Sequence, residues 1–221
     1  MILVPIKNTA SAKQRLASIL DQPARTQLAQ AMLTDVLTAI HDWKNRPTVG
    51  IVTSDSYAVK LADQYHFEVI PDPDNPGETS AIEMATRVCV ERAEESTLVI
   101  PADIPLIQSW ELEEIYRHAP AEGSLLVPAG DGRGTNAVLR RPANLFPLRF
   151  GNDSFKPHHA AAQATGKTCV VLNHLPGIAV DVDNPPDLRQ LLSLPGETRA
   201  QRLAKSWNLP ERLVAEQPDT V

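Results

Sequence analysis

The chain has 221 residues, of which 43% are hydrophobic and 22% are charged, and its net charge is −6. That length can bury one sizeable α/β core, so we expect one domain over residues 1–195 and a tail over residues 196–221. The sequence has no long apolar run, no signal peptide and no dense Lys/Arg stripe, so we expect a cytoplasmic protein with no membrane span and no nucleic-acid polymer as partner.

Short runs rich in Val and Ile alternate with segments of helical periodicity, a pattern typical of strands covered by helices on both faces. It predicts strands at residues 2–6, 49–53, 67–70, 97–100, 124–128, 136–140, 168–172 and 178–182. It predicts helices at residues 10–20, 23–40, 56–65, 79–93, 109–118, 154–165 and 186–194. The tail is predicted to be a helix or an extended arm that docks on this chain or on a partner, with residues 216–221 loose. Ligands of open α/β sheets bind beyond the carboxyl ends of the strands, so residues that follow the strands are candidates for function.

The loop after the first predicted strand carries three cations, Lys7, Lys13 and Arg15. A strand-to-helix loop of this kind suits a phosphate, because helix N-terminal amides and basic side chains converge on the anion. A solvated helix face explains the same cations equally well. The loop is not a Walker A motif, and the Gly-Lys-Thr at residues 166–168 lacks a glycine five places earlier and leads into a strand.

Acidic residues follow two other predicted strands. Asp103 lies between two prolines at the end of a buried strand, and strand alternation would put Asp181 and Asp183 on one face. Like charges this close repel unless a cation or a proton lies between them. Mg²⁺ prefers carboxylate oxygens and keeps phosphate oxygens and waters as its other ligands, so these acids predict a site for two Mg²⁺ ions beside a phosphate. A helix N-cap is the alternative role for Asp103, and Asp187 is expected to start the next helix.

Glycines and a serine mark a fourth region, over residues 130–136 and 149–158. Glycine permits close approach of the backbone to a ligand, and Ser154 has the pattern of an N-cap whose following amides face an anion. A hairpin turn explains the glycines equally well. His158 and His159 are adjacent rather than one helical turn apart, so a metal site on this pair is not expected.

Together, these regions resemble the CofC/FbiD guanylyltransferases, part of the nucleotidyltransferases that include the molybdenum-cofactor guanylyltransferases. The matching stretches are residues 4–7, 12–17, 101–106, 134–137, 150–155 with His158, and 181–188. The outer motifs and Pro-Ala-Asp are common among nucleotidyltransferases, whereas Gly-Thr-Asn followed by Phe-Gly-x-x-Ser-Phe is more specific. Two stretches depart from the family pattern: Asn152-Asp153 stands where Pro-Gly is frequent, and residues 77–81 differ from the Gly-Leu-Asn-Ala-like stretch expected near the guanine.

The resemblance implies a three-layer α/β/α nucleotidyltransferase fold with a mostly parallel mixed sheet, and Mg²⁺-dependent transfer of GMP from GTP in coenzyme F420 biosynthesis. The implied acceptor is a phosphorylated three-carbon acid: phosphoenolpyruvate, 3-phospho-D-glycerate or 2-phospho-L-lactate. The residues do not indicate which of these acids is used. The acids differ by one double bond, hydroxyl or phosphate position, and discrimination among them depends on details of the pocket. The implied ligands are Asp103, Asp181 and Asp183 for Mg²⁺, and Thr135, Gly151 and Ser154 for the acceptor phosphate.

The positive charges of the first loop indicate which residues would bind the GTP phosphates. Lys13 and Arg15, with Lys7 as a weaker candidate, are expected to neutralise the GTP phosphates, and Lys13, Arg15 and Asp103 form the expected catalytic set. A nucleotidyltransferase for another metabolite such as a molybdopterin is the runner-up, although the first loop lacks a Leu-x-Gly-Gly pattern. A catalytically silent nucleotide-binding domain is the third reading. The oligomeric state stays open, with a homodimer as one arrangement that the tail allows.

Overall fold

The computed structural model describes residues 1–73, 77–151 and 153–207. Within them, one seven-stranded sheet has the order β3-β2-β1-β4-β6-β5-β7. The strands are β1 (Ile2–Pro5), β2 (Val49–Thr53), β3 (Glu68–Pro71), β4 (Thr97–Val99), β5 (Gly123–Pro128), β6 (Thr135–Arg141) and β7 (Thr168–Val171). Strand β6 runs antiparallel to β4 and β5 and the other pairs are parallel, so the predicted mostly parallel mixed sheet is confirmed.

Helices cover both faces of this sheet. They are α1 (Gln22–Asp42), α2 (Ser56–Tyr65), α3 (Glu78–Glu91), α4 (Ser109–His118), α5 (Phe155–Ala164), α6 (Pro185–Ser193) and α7 (Arg199–Ser206). Helices α1, α2 and α4 pack on one face, and α3 and α5 pack on the other, which confirms the three layers. No described helix has both the length and the apolar character needed to cross a membrane.

The central strands explain where the functional loops lie. Side chains of β1 and β4 are buried on both faces, as expected for parallel strands covered by helices. The two strands run parallel, with Ile2 opposite Leu98 and Leu3 opposite Val99. Their carboxyl ends therefore reach the same edge of the sheet, and the basic loop and Asp103 emerge side by side.

The predicted helix at residues 10–20 is wrong. The structure has two short 3-10 turns, Thr9–Ser11 and Gln14–Leu16, separated by Ala12 and by Lys13, whose φ is 56°. A left-handed residue interrupts a right-handed helix, so no run of helical amides faces a phosphate here. The apolar spacing that suggested a helix comes from Leu16 and Ile19, which are buried against α1, α6 and α7.

The predicted strand at residues 178–182 is also wrong. Single hydrogen bonds hold this segment instead of a ladder: Gly130 N donates to Ala179 O at 2.7 Å, and Val182 N donates to Asp103 O at 3.1 Å. Val180 and Val182 are nevertheless buried, while the aspartates at 181 and 183 are only partly buried. The alternation thus reflects real burial, although no strand within the described residues pairs with the segment.

The described part of the tail packs on its own chain. Asp35 of α1 accepts hydrogen bonds from Arg199 N at 3.0 Å and Ala200 N at 2.9 Å, at the start of α7. Ala200 and Ala204 are fully buried against α1. Residues 208–221, which include the predicted loose end, lie outside the described residues.

Candidate active site

A cleft opens where the carboxyl ends of β1 and β4 meet the first residue of the antiparallel strand β6. Its volume is about 460 Å³. The lining contains all the residues that the sequence singled out for the site: Lys7, Lys13, Arg15, Asp103, Thr135, Gly151, Ser154, Asp181 and Asp183. Residues from five separate stretches of the chain therefore meet in one place.

Lys13 lies between two of the acids. Its Nζ donates to Asp103 Oδ2 at 2.7 Å and to Asp183 Oδ1 at 2.8 Å, and its side chain is 9% exposed. Burial alone would lower the pKa of Lys13, but the two carboxylates outweigh burial and hold it above its usual value. Burial likewise raises the pKa of Asp183, and the Lys13 ammonium more than reverses this, so that the net pKa is lowered. Lys13 and Asp183 are therefore both charged at neutral pH.

Asp181 lies in a different electrostatic environment. Its Oδ1 accepts a hydrogen bond from Asn136 Nδ2 at 3.0 Å, and the same amide donates to Ile178 O at 2.8 Å. Burial is the main reason why the pKa of Asp181 rises to about 6, and the nearby carboxylates of Asp103 and Asp183 add to the rise despite the Asn136 bond. A cation beside Asp181 would relieve this unfavourable charge.

The three predicted metal ligands do not form a complete site by themselves. Within the described residues, no group of three or more His, Cys, Asp or Glu side chains is arranged to hold a metal ion. Lys13 provides the positive charge between Asp103 and Asp183 instead. Mg²⁺ commonly takes only one or two carboxylates and completes its shell with phosphate oxygens and waters. The donor set therefore fits Mg²⁺ that arrives with a phosphate ligand.

Glu78 is a cleft residue that the sequence did not single out. It opens α3 and lines the cleft as well as an adjoining cavity of about 360 Å³. Burial, followed by the charge of Asp103, raises the pKa of Glu78 to about 7, although Lys7 opposes the rise. A glutamate in the first turn of a helix is ordinary, so no local signal could have identified it.

The opposite end of the cleft is built from hydroxyl groups. Ser154 precedes α5 as predicted, but its side chain does not cap the helix. Its Oγ donates instead to Thr135 Oγ1 at 3.2 Å, and Phe155 N donates to Arg133 O at 2.8 Å. The expectation of a Ser154 side-chain cap is therefore wrong, and the first amide of α5 already has a protein partner.

His158 completes this group, although the sequence indicates no role for it at the acceptor end: it belongs to a stretch that matches the family and was weighed as a metal ligand. Its ring is 1% exposed. Arg149 N donates to Nε2 at 2.9 Å, and Nδ1 lies 3.0 Å from Thr135 Oγ1. Burial, with a smaller contribution from the nearby Arg140 cation, lowers the pKa of His158 to about 4. The available signal was spacing, because His158 lies one helical turn beyond Ser154 and shares its face of α5.

Acid is expected to destabilise the protein partly through His158. The imidazole is neutral in the folded protein down to pH about 4, whereas in the unfolded chain it gains a proton below pH about 6.5. The free energy of unfolding should therefore fall between these values by up to roughly 3 kcal/mol as the pH drops. Urea unfolding at pH about 7 and about 4.5 should show a larger acid-induced loss in the wild type than in His158→Asn. Equal losses in the two proteins would contradict the assignment.

Comparison with known proteins places this cleft in a family. The family profile described as "Guanylyl transferase CofC like" matches residues 1–210. A phosphoenolpyruvate guanylyltransferase of Roseiflexus castenholzii is 35% identical over 205 residues, covering 93% of each chain. A 3-phospho-D-glycerate guanylyltransferase of Colwellia psychrerythraea is 33% identical over 210 residues, covering 93% of this chain and 98% of the relative.

A solved structure supports the fold. A Desulfovibrio desulfuricans protein, provisionally assigned as a nucleotide-diphospho-sugar transferase, superposes with a TM-score of 0.75. The superposition covers 97% of this chain and 96% of that protein, at 15% sequence identity. At this identity the likeness supports the three-layer architecture alone.

Proposed function

This chain belongs to the CofC-like guanylyltransferase family, and from that premise we propose that it transfers GMP from GTP to a phosphorylated three-carbon acid. The acceptors named in the relatives are phosphoenolpyruvate and 3-phospho-D-glycerate, and 2-phospho-L-lactate is the third candidate. The proposed pathway is coenzyme F420 assembly, which fits a CofC-like guanylyltransferase. The observation that carries the proposal is one cleft that joins a basic loop, three aspartates and a pair of hydroxyl groups.

The cleft has separate places for two phosphorylated molecules. The basic loop with Lys7, Lys13 and Arg15 suits the GTP phosphates, and Thr135 and Ser154 offer hydroxyl groups to the acceptor phosphate. The adjoining cavity of about 360 Å³ reaches apolar side chains of α1 and α3 and provides room for the base. The two reacting phosphates would therefore lie on either side of the carboxylates.

The chemistry follows from the charges. A phosphate oxygen of the acid attacks the α-phosphorus of GTP, a new phosphorus–oxygen bond forms, and the bond to the β-phosphate oxygen breaks to release pyrophosphate. The acceptor phosphate is largely dianionic at neutral pH because its second pKa is about 6, so no protein base is required. Lys13 and Arg15 would stabilise the charge that builds up on the leaving pyrophosphate.

Mg²⁺ would be held by Asp103, Asp181 and Asp183. The raised pKa of Asp181 means that its negative charge is unfavourable in its buried position beside the other carboxylates, and a bound cation would relieve this. When bound, the ion neutralises the repulsion between the two phosphorylated substrates. Two ions would be held in this way, and phosphate oxygens would supply the ligands that the chain itself does not. Lys13 would then exchange its contacts with Asp103 and Asp183 for contacts with GTP phosphates.

A pyrophosphate-release assay tests the proposed function. We expect release only when GTP, Mg²⁺ and one of the three acids are present, and little release when CTP replaces GTP. Release with a molybdopterin acceptor but with none of the acids would support the runner-up function. No release with any acceptor would contradict the enzymatic assignment.

Ser154→Ala tests the acceptor end of the cleft. Losing a charge-assisted hydrogen bond worth about 1.5 kcal/mol should raise the KM for the acid by about tenfold and leave the KM for GTP nearly unchanged. Steady-state kinetics with one substrate varied at a time measures both constants, and Ser206→Ala, at an exposed position of α7, is the matched control. A KM change confined to GTP would mean that the two phosphate sites are exchanged.

A further inference from the structure

Three buried side chains form a hydrogen-bonded chain beneath the acceptor end of the cleft. Thr135 is at its centre, 3.0 Å from His158 Nδ1 and 3.2 Å from Ser154 Oγ. The exposed fractions of Thr135, Ser154 and His158 are 5%, 4% and 1%. Thr135 and Ser154 line the cleft, whereas His158 lies behind them. A buried histidine without direct access to the cleft can still decide what the two hydroxyl groups offer to a ligand.

The hydrogen bonds fix which ring nitrogen carries the proton. A backbone N–H is always a donor, so the bond from Arg149 N to Nε2 makes Nε2 an acceptor. A neutral imidazole with an accepting Nε2 carries its hydrogen on Nδ1. The lowered pKa of His158 keeps the ring neutral at physiological pH. Nδ1 therefore donates to Thr135 Oγ1.

Counting hydrogens shows the consequence for the cleft. The hydroxyl groups of Thr135 and Ser154 carry one hydrogen each, and one of the two spans the bond between them. In the structure it is the Ser154 hydrogen, and rotation of both hydroxyl groups lets the Thr135 hydrogen take that place and turns the Ser154 hydrogen toward a ligand. His158 supplies its own hydrogen and uses neither, so one hydroxyl hydrogen is left to donate to a ligand. With the opposite tautomer, Nδ1 would accept that hydrogen. The pair would then offer only lone pairs, which repel a phosphate.

We propose that His158 is a positioning residue that keeps the Thr135–Ser154 pair as a hydrogen-bond donor toward the acceptor phosphate. This inference rests on the proposed function, in which the two hydroxyl groups bind the acid. His158 does not touch the substrate in this arrangement. It acts through Thr135, and the Arg149 amide sets its tautomer.

A purely structural role is the competing explanation. The His158 ring packs edge-on against Phe150, with ring centroids 5.0 Å apart, and its bond to Arg149 N holds the loop before α5. Two substitutions separate the roles, because each keeps one of the two hydrogen bonds. His158→Asn places an amide near the Nδ1 position and can still donate to Thr135. His158→Gln places an amide near the Nε2 position and can still accept from Arg149.

The two variants should affect the acceptor differently. We expect His158→Gln to raise the KM for the phosphorylated acid by about tenfold, and His158→Asn by about threefold, with little change in the KM for GTP in either variant. A structural role predicts the opposite order, because Gln keeps the bond to the loop. Equal impairment of both substrates, or greater impairment by Asn than by Gln, would overturn the proposal.

A measurement on the wild-type protein does not depend on how the variants fold. Nitrogen chemical shifts of the His158 ring should show a protonated Nδ1 and an unprotonated Nε2 at neutral pH. The opposite tautomer, or a doubly protonated ring, would overturn the proposal. Ser154→Ala separates this inference from the function on which it rests. If that variant leaves the acceptor KM unchanged, the acceptor site is wrongly placed; if only His158→Gln has no effect, the role of His158 alone is wrong.

Discussion

Asp103→Asn is expected to lower kcat by about 100-fold or more while the protein stays folded. The substitution keeps the size of the side chain and removes its negative charge. The Asp103 side chain is 26% exposed and pairs with Lys13 at the cleft, so no core contact is lost. The expected loss arises because the cleft would bind Mg²⁺ and orient Lys13 less well.

The measurement is kcat at saturating Mg²⁺ together with the thermal unfolding midpoint. Asp63→Asn, on the exposed face of α2, is the matched control and should behave like the wild type. Retention of more than about a tenth of wild-type activity by Asp103→Asn would contradict a metal role for Asp103.

Lys13→Met should lower kcat/KM for GTP by about 100-fold, because a preorganised cation at the leaving pyrophosphate is lost. The substitution also leaves Asp103 and Asp183 without the ammonium that lies 2.7 and 2.8 Å from them. The pKa of Asp183, which Lys13 lowers, should then rise. The activity of the variant should therefore respond more strongly to acid than that of the wild type.

Kinetics with GTP varied at saturating acid, repeated across pH, measures both effects. Lys44→Met, on the exposed connection after α1, is the control for loss of a lysine outside the cleft. Lys13→Arg keeps the positive charge but replaces a compact ammonium by a planar group, so partial activity is expected. A defect confined to the acid, or less than about tenfold in GTP, would contradict the role of Lys13.

The sequence could predict the cleft because strand ends are visible in it. Asp103 and Asp183 lie 90 and 170 positions after Lys13 in the sequence. Each of the three residues nevertheless follows a segment that ends at the same edge of the sheet. The apolar runs of β1 and β4 indicate that edge directly. What the sequence did not indicate is that Lys13 lies between the two acids. That arrangement depends on its left-handed backbone, which no periodicity reports.

The features that the sequence did not predict correctly share one cause: they depend on contacts between segments that are far apart in the chain. Thr135, which hydrogen-bonds to His158, and Asp103, whose charge acts on Glu78, lie in distant segments of the chain. His158 belongs to a stretch that matches the family, but that stretch does not indicate its hydrogen-bond partners. The segment 178–182 has the alternation of a strand because one side of it is buried, and pairing cannot be read from alternation alone.

The structure explains one departure from the family pattern. Asp153, which stands where glycine is frequent, has a φ of 55°. Aspartate is among the few residues that tolerate this left-handed conformation, so the turn can persist without the glycine. The neighbouring Gly151 has a φ of 132°, which other residues adopt only with strain.

The most direct test of the central claim is the identity of the product. The protein is incubated with Mg²⁺, GTP and each of the three acids, and the product is analysed by phosphorus NMR and mass spectrometry. The account predicts a diphosphate that joins guanosine to the acid, formed together with an equal amount of pyrophosphate. A phosphoryl group transferred from GTP with GDP as the second product, or free GMP with no joined product, would contradict it.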